Sequence, residues 1–397
     1  MSKNTKIQWC DSTVNFWSGC TKVSPGCAHC YAETRDKRHM IEPVSHWGKG
    51  ATRLKHVGAV ATALRLNKKP WICDSCGEAS AASKNGSDPF CNHCNSPEPS
   101  FHCRRIFANS LSDWLDAEVP IEWLAEMLDT IRQCPEVIWI LCTKRPENFF
   151  PRIISVIHYI MAHLMASGEG IMPEIFATNP NFKPFADEVI RKPLDELKKK
   201  FAQYQQLVEW LGKWCPHPGF SLPDYEYAAP KNIILLTSVE NQDTANARIR
   251  LLLKIPAVCH GLSMEPLLGP VDLNRIALDK NTDSYFDCLT GLHCYNGRVI
   301  GPRVAWLIIG GESGRGARQC EMEWVQSLVE QGQKANVPTF VKQLGALVLT
   351  EEPHEDKWPA GTEFDHNCIS RVLLKDPKGG NPAEWPKEIR IQQWPQL

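Results

Sequence analysis

Three stretches of this chain are apolar almost from end to end: Val137-Ile-Trp-Ile-Leu-Cys142, Asn232-Ile-Ile-Leu-Leu-Thr237 and Val304-Ala-Trp-Leu-Ile-Ile309. A strand with one wet face alternates apolar and polar residues, so an unbroken run predicts a strand buried on both faces, as in a parallel sheet. Weaker strands are expected at Arg105-Ile-Phe-Ala-Asn-Ser110, at Gly261-Leu-Ser-Met264 and at Pro338-Thr-Phe-Val-Lys342, with a short first strand around Val14. Between them the period changes. Ile121, Leu124, Leu128 and Ile131 recur at helical spacing, as do Ile249, Leu252 and Leu253 after the second run, and Trp324, Leu328 and Val329 over 322–335. Alternation of strand and helix, with about seven strands, predicts an α/β chain whose parallel sheet closes into a full or partial (β/α) barrel.

Two segments break this rhythm and a third ends it. Residues 71–100 hold two C-x2-C pairs around a Gly/Ser/Asn-rich turn and are expected to form a zinc-ribbon insertion. Residues 152–230 carry helical patterns over 153–165 and 194–214 and a Pro-rich exit, and are expected to form a helical insertion. The lysine run at 198–200 within it is read as a solvated face. Residues 351–397 are loop-rich and are expected to pack on the barrel as a tail. The barrel itself is then drawn from 1–70, which carries an N-terminal cysteine loop, from 101–151 and from 231–350.

Composition changes the picture little. With 397 residues, 43% hydrophobic, 22% charged and a net charge of -1, the chain can bury a core and carries no global pull toward nucleic acid or anionic membrane. No apolar run approaches the ~18–20 residues of a membrane span, and the first residues lack a signal-peptide core, so a cytoplasmic protein is expected.

The seventeen cysteines change it a great deal. In a chain with no signal peptide, tight cysteine clusters point to metal rather than disulfides. Cys73-Asp-Ser-Cys76 and Cys91-Asn-His-Cys94 are separated by fourteen residues, the spacing of a closed Zn²⁺ ribbon in which each pair gives two thiolates. Cys20-Thr-Lys-Val-Ser-Pro-Gly-Cys27-Ala-His-Cys30 differs in kind. It offers three thiolates on one loop bent by Pro25 and Gly26, enough for three corners of a metal centre and leaving the fourth open. His29, next to Cys30, is read as a packing or supporting residue.

In parallel α/β folds the chemistry gathers at the carboxyl ends of the strands. Five predicted strand ends are polar here: Asn109-Ser110-Leu-Ser112-Asp113, Thr143-Lys144-Arg145-Pro146, Ser238-Val-Glu240-Asn241, Glu265-Pro266 and Gly310-Gly311-Glu312-Ser313-Gly314. Lys144 and Arg145 suit a carboxylate or phosphate. Glu312 suits a cationic amine, with Gly310 and Gly311 permitting close approach. Lys144, Arg145, Glu240 and Glu265 are the candidate catalytic groups.

These stretches, together with Trp17-Ser-Gly-Cys20, Glu265-Pro-Leu-Leu-Gly-Pro270, Lys342-Gln-Leu-Gly345 and Gly379-Gly-Asn-Pro-Ala-Glu-Trp-Pro386, resemble a phage-associated three-Cys-motif family. It is named after phage gene products thirty-seven and sixty-eight, and is in turn distantly similar to radical SAM enzymes. The resemblance covers most of the chain outside the ribbon and 152–230. It implies a radical SAM-type barrel with a [4Fe-4S] cluster on Cys20, Cys27 and Cys30. It also implies S-adenosylmethionine near Asn109, Ser110, Ser112, Asp113, Gly310, Gly311, Glu312 and Ser313, with Tyr31 against adenine. The activity implied is hydrogen abstraction by a 5′-deoxyadenosyl radical. A nucleotide, nucleic acid or modified base is the expected substrate, and a partner protein is a further expectation. Two spacings depart from radical SAM enzymes. The cysteine gaps are six and two rather than three and two, and Gly-Gly-Glu follows a late strand rather than the second. The alternative is a metal-stabilised (zinc or iron–sulfur) module that binds nucleic acid or protein without catalysis.

Overall fold

The computed structural model describes residues 5–39, 45–80, 91, 93–94, 100–166, 194–215, 228–278, 284–294, 296–299, 301–351, 357–367 and 369–397. Its frame is a seven-stranded, all-parallel sheet curled into a half-barrel, with the strands side by side in chain order. The strands are β1 (Ser12–Thr13), β2 (Arg105–Ala108), β3 (Ile138–Thr143), β4 (Ile233–Ser238), β5 (Cys259–Met264), β6 (Trp306–Gly310) and β7 (Thr339–Gln343). The register sets Ile106 beside Trp139, Leu141 beside Leu235 and Leu262 beside Leu307.

The unbroken apolar runs have a direct explanation in the two faces of this sheet. Trp139, Leu141, Ile233, Leu235, Leu307 and Ile309 point outward into the main core. Ile140, Ile234, Leu236, Trp306, Ile308 and Phe340 point inward and form a second apolar cluster with Trp9. Seven described helices accompany the sheet, the apolar ones joining its outer face in the main core. They are α1 (Tyr31–His39), α2 (Ala59–Asn67), α3 (Ile121–Gln133), α4 (Phe149–Ala166), α5 (Leu194–Trp214), α6 (Gln242–Leu252) and α7 (Met322–Lys334). In α3 the predicted Leu124, Leu128 and Ile131 are buried, and in α6 Asn241 and Thr244 form a reciprocal capping box that fixes where the helix begins.

The segment read as a helical insertion supplies α4 and α5. Helix α4 starts at Phe149, upstream of the expected boundary at 152, and its Phe149, Ile153, Val156 and Ile160 share one core with Leu207, Leu211 and Trp214 of α5. It is a crossover helix of the barrel in all but length. Lys198–Lys200 lie in α5, but their side chains are outside the described residues. No described helix is long and apolar enough to cross a membrane.

The tail also joins the frame. Strands Cys320–Glu321, Val348–Thr350, Ile369–Leu373 and Glu363–Asn367 make a separate four-stranded sheet. The last residues then run along the free edge of β7, where Val341 N donates to Ile391 O at 2.8 Å and Gln393 N to Thr339 O at 3.0 Å. Trp394 packs on Phe340 with ring centroids 5.0 Å apart, and its indole N–H reaches Trp9 O at 3.2 Å. An exposed edge is thereby covered, and the last strand is tied to the segment leading into the first.

Candidate functional site

Alternation along the strands decides which polar groups face the concave side. Beyond the inward Trp9, Trp306 and Phe340, which fill the lower part, the next inward positions toward the carboxyl ends are Cys142, Lys144, Ser238, Ser263 and Lys342. Glu240, Glu265 and Glu312 follow their strands by one or two residues. The result is a polar layer above an apolar floor.

The cysteine loop lies across this layer and is held from four strands. From β2, Ser110 O accepts the Tyr31 hydroxyl, while Asn15, just after β1, donates to Ser110 Oγ at 3.1 Å and accepts from Leu111 N at 2.8 Å. Asn109 accepts from Phe16 N at 2.7 Å, and Ser112 donates to Trp17 O at 3.3 Å. From β3, buried Arg145 donates to Asp113 at 2.8 Å and to the carbonyl of Thr21, the residue after Cys20. From β4, Glu240, with none of its surface accessible, accepts from Ser24 Oγ at 2.7 Å and from Arg248 at 2.8 Å. A Cβ on Gly26 would sit 2.4 Å from Glu240 Oε1, so glycine is what lets the loop tip rest on that carboxylate. From β6, Glu312 accepts from Arg318 at 2.6 and 2.9 Å and from His29 Nδ1 at 3.0 Å, while Arg318 also donates to Pro25 O at 2.8 Å.

These contacts sort the predicted residues by use. Asn109, Ser110, Ser112 and Asp113 fasten the loop and the β3 end, Asp113 also accepting from Thr143 Oγ1 at 2.7 Å. Arg145 is a fastener too. The Glu312 carboxylate is engaged by Arg318 and His29, and Ser313 is exposed. At Gly310 and Gly311 the close approach is made by protein. A Cβ would meet Glu265 Oε1 at 2.8 Å and Leu344 O at 2.0 Å. Glu265 pairs with Lys342 at 2.7 Å and accepts from the Trp9 indole at 3.3 Å. Lys144 donates to Ser238 Oγ at 2.8 Å and lies 3.8 Å from Glu240.

Local electrostatics follow from these pairings. Burial alone would raise the Glu312 carboxyl, but the Arg318 side chain and backbone N–H and the His29 ring outweigh it and hold the group at about 2. Burial pushes Cys20 up to about 12, with Asp113 adding to it, and raises Cys30. For Lys144, burial opposes the charge but is outweighed by Glu240 and the Cys142 and Cys27 thiols, so its pKa stands above the ordinary value. Tyr31 is 59% accessible, yet burial by the surrounding protein pushes its phenol up. Tyr31 also senses Cys30 and Glu265, and Lys144 senses Cys27, so these side chains border a chamber, the space between the loop and the polar layer.

The two cysteine groups have different geometry. Cys73, Cys76, Cys91 and Cys94 offer sulfur atoms that lie within 4.8 Å of one another, with Cys73–Cys94 at 3.9 Å and Cys76–Cys91 at 3.7 Å. Metal–sulfur bonds of about 2.3 Å in a tetrahedron place sulfurs about 3.8 Å apart, so the quartet can hold one metal ion. Backbone N–H groups of Cys94 and His93 pull the Cys91 thiol down to about 6, toward the thiolate a metal needs. Among the described residues no other group of three or more candidate ligands is that compact, so the sulfurs of Cys20, Cys27 and Cys30 stand wider apart. The ribbon strands Trp71–Cys73, Ala79–Ser80 and Phe101–Cys103 lead into β2, which puts the quartet at the amino end of the sheet, opposite the loop. His102 fastens it there, between Asp74 at 2.5 Å and Asp11 at 3.1 Å.

Arg318, Arg248, Ser24 and Lys342 are site residues that the sequence pattern did not single out as such. Lys342 had a signal, being the inward neighbour of Val341 at the end of a strand. Arg318 had none, because the loop after Glu312 has no period from which a side chain's direction can be read.

No curated protein and no solved structure matches this chain. Over residues 4–372, nearly its whole length, it matches a family described as a protein of unknown function (DUF5131), and the protein belongs to that family.

Proposed function

We propose that the protein is an iron–sulfur enzyme of radical SAM type. The observation that carries this reading is the placement of a three-cysteine loop across the carboxyl ends of a sequentially ordered parallel half-barrel, over a chamber lined by Lys144, Tyr31 and Cys142. The donor set fits a [4Fe-4S] cluster. Three thiols and no fourth cysteine on the loop leave one corner open. With S-adenosylmethionine bound, such a cluster supplies a 5′-deoxyadenosyl radical for hydrogen abstraction.

The chain's own residues do the positioning. Arg145 holds the loop at Thr21, Glu240 at Ser24 and Gly26, Arg318 at Pro25 and the Ser110 carbonyl at Tyr31, so each stretch of loop around a cysteine has a support. Glu312 would take a methionyl amine only by releasing Arg318 or His29, and Ser263 and Glu265 are further inward polar groups. The apolar floor under the chamber keeps water from below. The four-thiol ribbon is assigned zinc, on tetrahedral spacing and a closed ligand set. Its position at the far end of the sheet makes it a support for the fold rather than a wall of the chamber.

The test is turnover of the cofactor. After anaerobic reconstitution with iron and sulfide, the dithionite-reduced protein is expected to convert S-adenosylmethionine to methionine and 5′-deoxyadenosine, and Cys27→Ala to form neither. Zinc in the loop, with no iron incorporated, would instead indicate a non-catalytic metal-stabilised module.

A further inference from the structure

Among the described residues, four cations that hold the loop or line the polar layer have a carboxylate within hydrogen-bond distance. Arg145 has Asp113 at 2.8 Å, Arg248 has Glu240 at 2.8 Å, Arg318 has Glu312 at 2.6 Å and Lys342 has Glu265 at 2.7 Å. The three arginines also donate to the backbone carbonyls of Thr21, Ser238 and Pro25. These are architectural pairs.

Lys144 is built differently. Its nearest carboxylate oxygen, Glu240 Oε1, is 3.8 Å away and already accepts from Ser24 at 2.7 Å, while Arg248 occupies the other oxygen. An ammonium has three N–H donors, and the hydrogen bond to Ser238 Oγ at 2.8 Å takes one. The side chain follows Ile140 and Cys142 on the inward face of β3 and keeps 21% of its surface accessible within the chamber. Glu240 keeps this ammonium charged from 3.8 Å, beyond hydrogen-bond distance, so among the described residues only Ser238 Oγ engages an Nζ donor and the other two stay available to a ligand.

We infer that Lys144 receives an oxyanion, a carboxylate or a phosphate, carried by a small molecule that enters the chamber. This rests on the reading of the chamber as the reaction site. A lysine suits the task as a compact point charge with rotatable donors, whereas the arginine forks are tied to fixed carboxylates. One such cation matches one oxyanion. A strand of nucleic acid would bring a row of phosphates to a rim where Arg145, Arg248, Arg318 and Lys342 are already paired, so a free nucleotide or a small carboxylic acid fits the layout better.

The experiment uses the full-length protein without reconstitution, so its result does not depend on the cluster. Inorganic phosphate and ¹³C-acetate are titrated separately into wild type, Lys144→Met, Lys144→Arg and, as a surface control, Lys334→Met, with binding read from ³¹P and ¹³C line widths. Saturable binding to wild type is expected, weakened about tenfold in Lys144→Met, largely restored in Lys144→Arg and unaltered in Lys334→Met. Weakening for phosphate alone assigns a phosphorylated ligand, and weakening for acetate alone a carboxylate. Equal binding of both probes to wild type and Lys144→Met, or no saturable binding to wild type, would overturn the inference. Absence of 5′-deoxyadenosine with Lys144-dependent anion binding intact would reject the radical reading and leave this one standing.

Discussion

One sheet carries a group of cysteines at each end, and the two groups are opposites. The ribbon quartet is compact, with paired sulfurs 3.7 and 3.9 Å apart beside a small three-stranded sheet. The loop trio is spread out, and a ring of protein contacts from β2, β3, β4 and β6 does the holding. The difference bears on what each group could do with a metal. Where metal makes the local structure, four ligands close around it. Where the fold makes the local structure, the metal can keep a free corner.

The largest expected effect is the separate loss of each metal. Cys73→Ala should release the ribbon's zinc, counted by metal analysis, and unfold the ribbon while iron incorporation is retained. Cys27→Ala should do the reverse. Loss of both metals in either variant would break the contrast. Next comes Arg145→Met, which leaves buried Asp113 without its counter-charge and frees Thr21. Breaking a buried pair of this kind costs about 3–5 kcal/mol, and denaturant unfolding should show a loss of that order together with poor cluster yield.

A smaller effect is expected at the loop tip. Gly26→Ala puts a methyl group 2.4 Å from Glu240 Oε1, a carboxylate that Arg248 and Ser24 keep from moving. The cost of such overpacking is about 1–3 kcal/mol, and the iron content of the reconstituted variant should fall while zinc content stays at the wild-type level. The mildest perturbation is acid. Glu312 is held at about 2 against an ordinary 4.5, so its contribution is fully present above pH 4.5 and is lost as pH falls through about 2. Limited proteolysis of the metal-free protein should therefore find the loop protected at pH 5 and progressively cut toward pH 2.5 by an acid protease. Glu312→Gln should lose that protection already at pH 5.

Much of this frame was legible in the residues. Unbroken runs such as 137–142 and 304–309 mark strands covered on both faces, and the C-x2-C pairs fix the ribbon through one distance requirement. The chemistry at strand ends was legible only as a list of polar groups. Period-two alternation tells that Lys144 faces inward. It cannot tell that Arg145, one residue on, turns back to Asp113 and Thr21, because that choice depends on what the cysteine loop brings across. Arg318 was hidden for the same reason. Its partners Glu312 and Pro25 come from two loops that lie far apart in the chain. The start of α4 at Phe149 was missed because a helix buried nearly all round has no polar face to set its phase.

The central claim is that the cysteine loop holds a cluster with one corner left for a small molecule. The most direct measurement is electron paramagnetic resonance of the reconstituted, dithionite-reduced protein with and without S-adenosylmethionine. The account predicts a [4Fe-4S]⁺ signal whose g-values change on adding the cofactor, in wild type and in the ribbon variant Cys73→Ala alike. A reduced cluster whose spectrum is unmoved by S-adenosylmethionine, or a loop that takes up no iron, would contradict it.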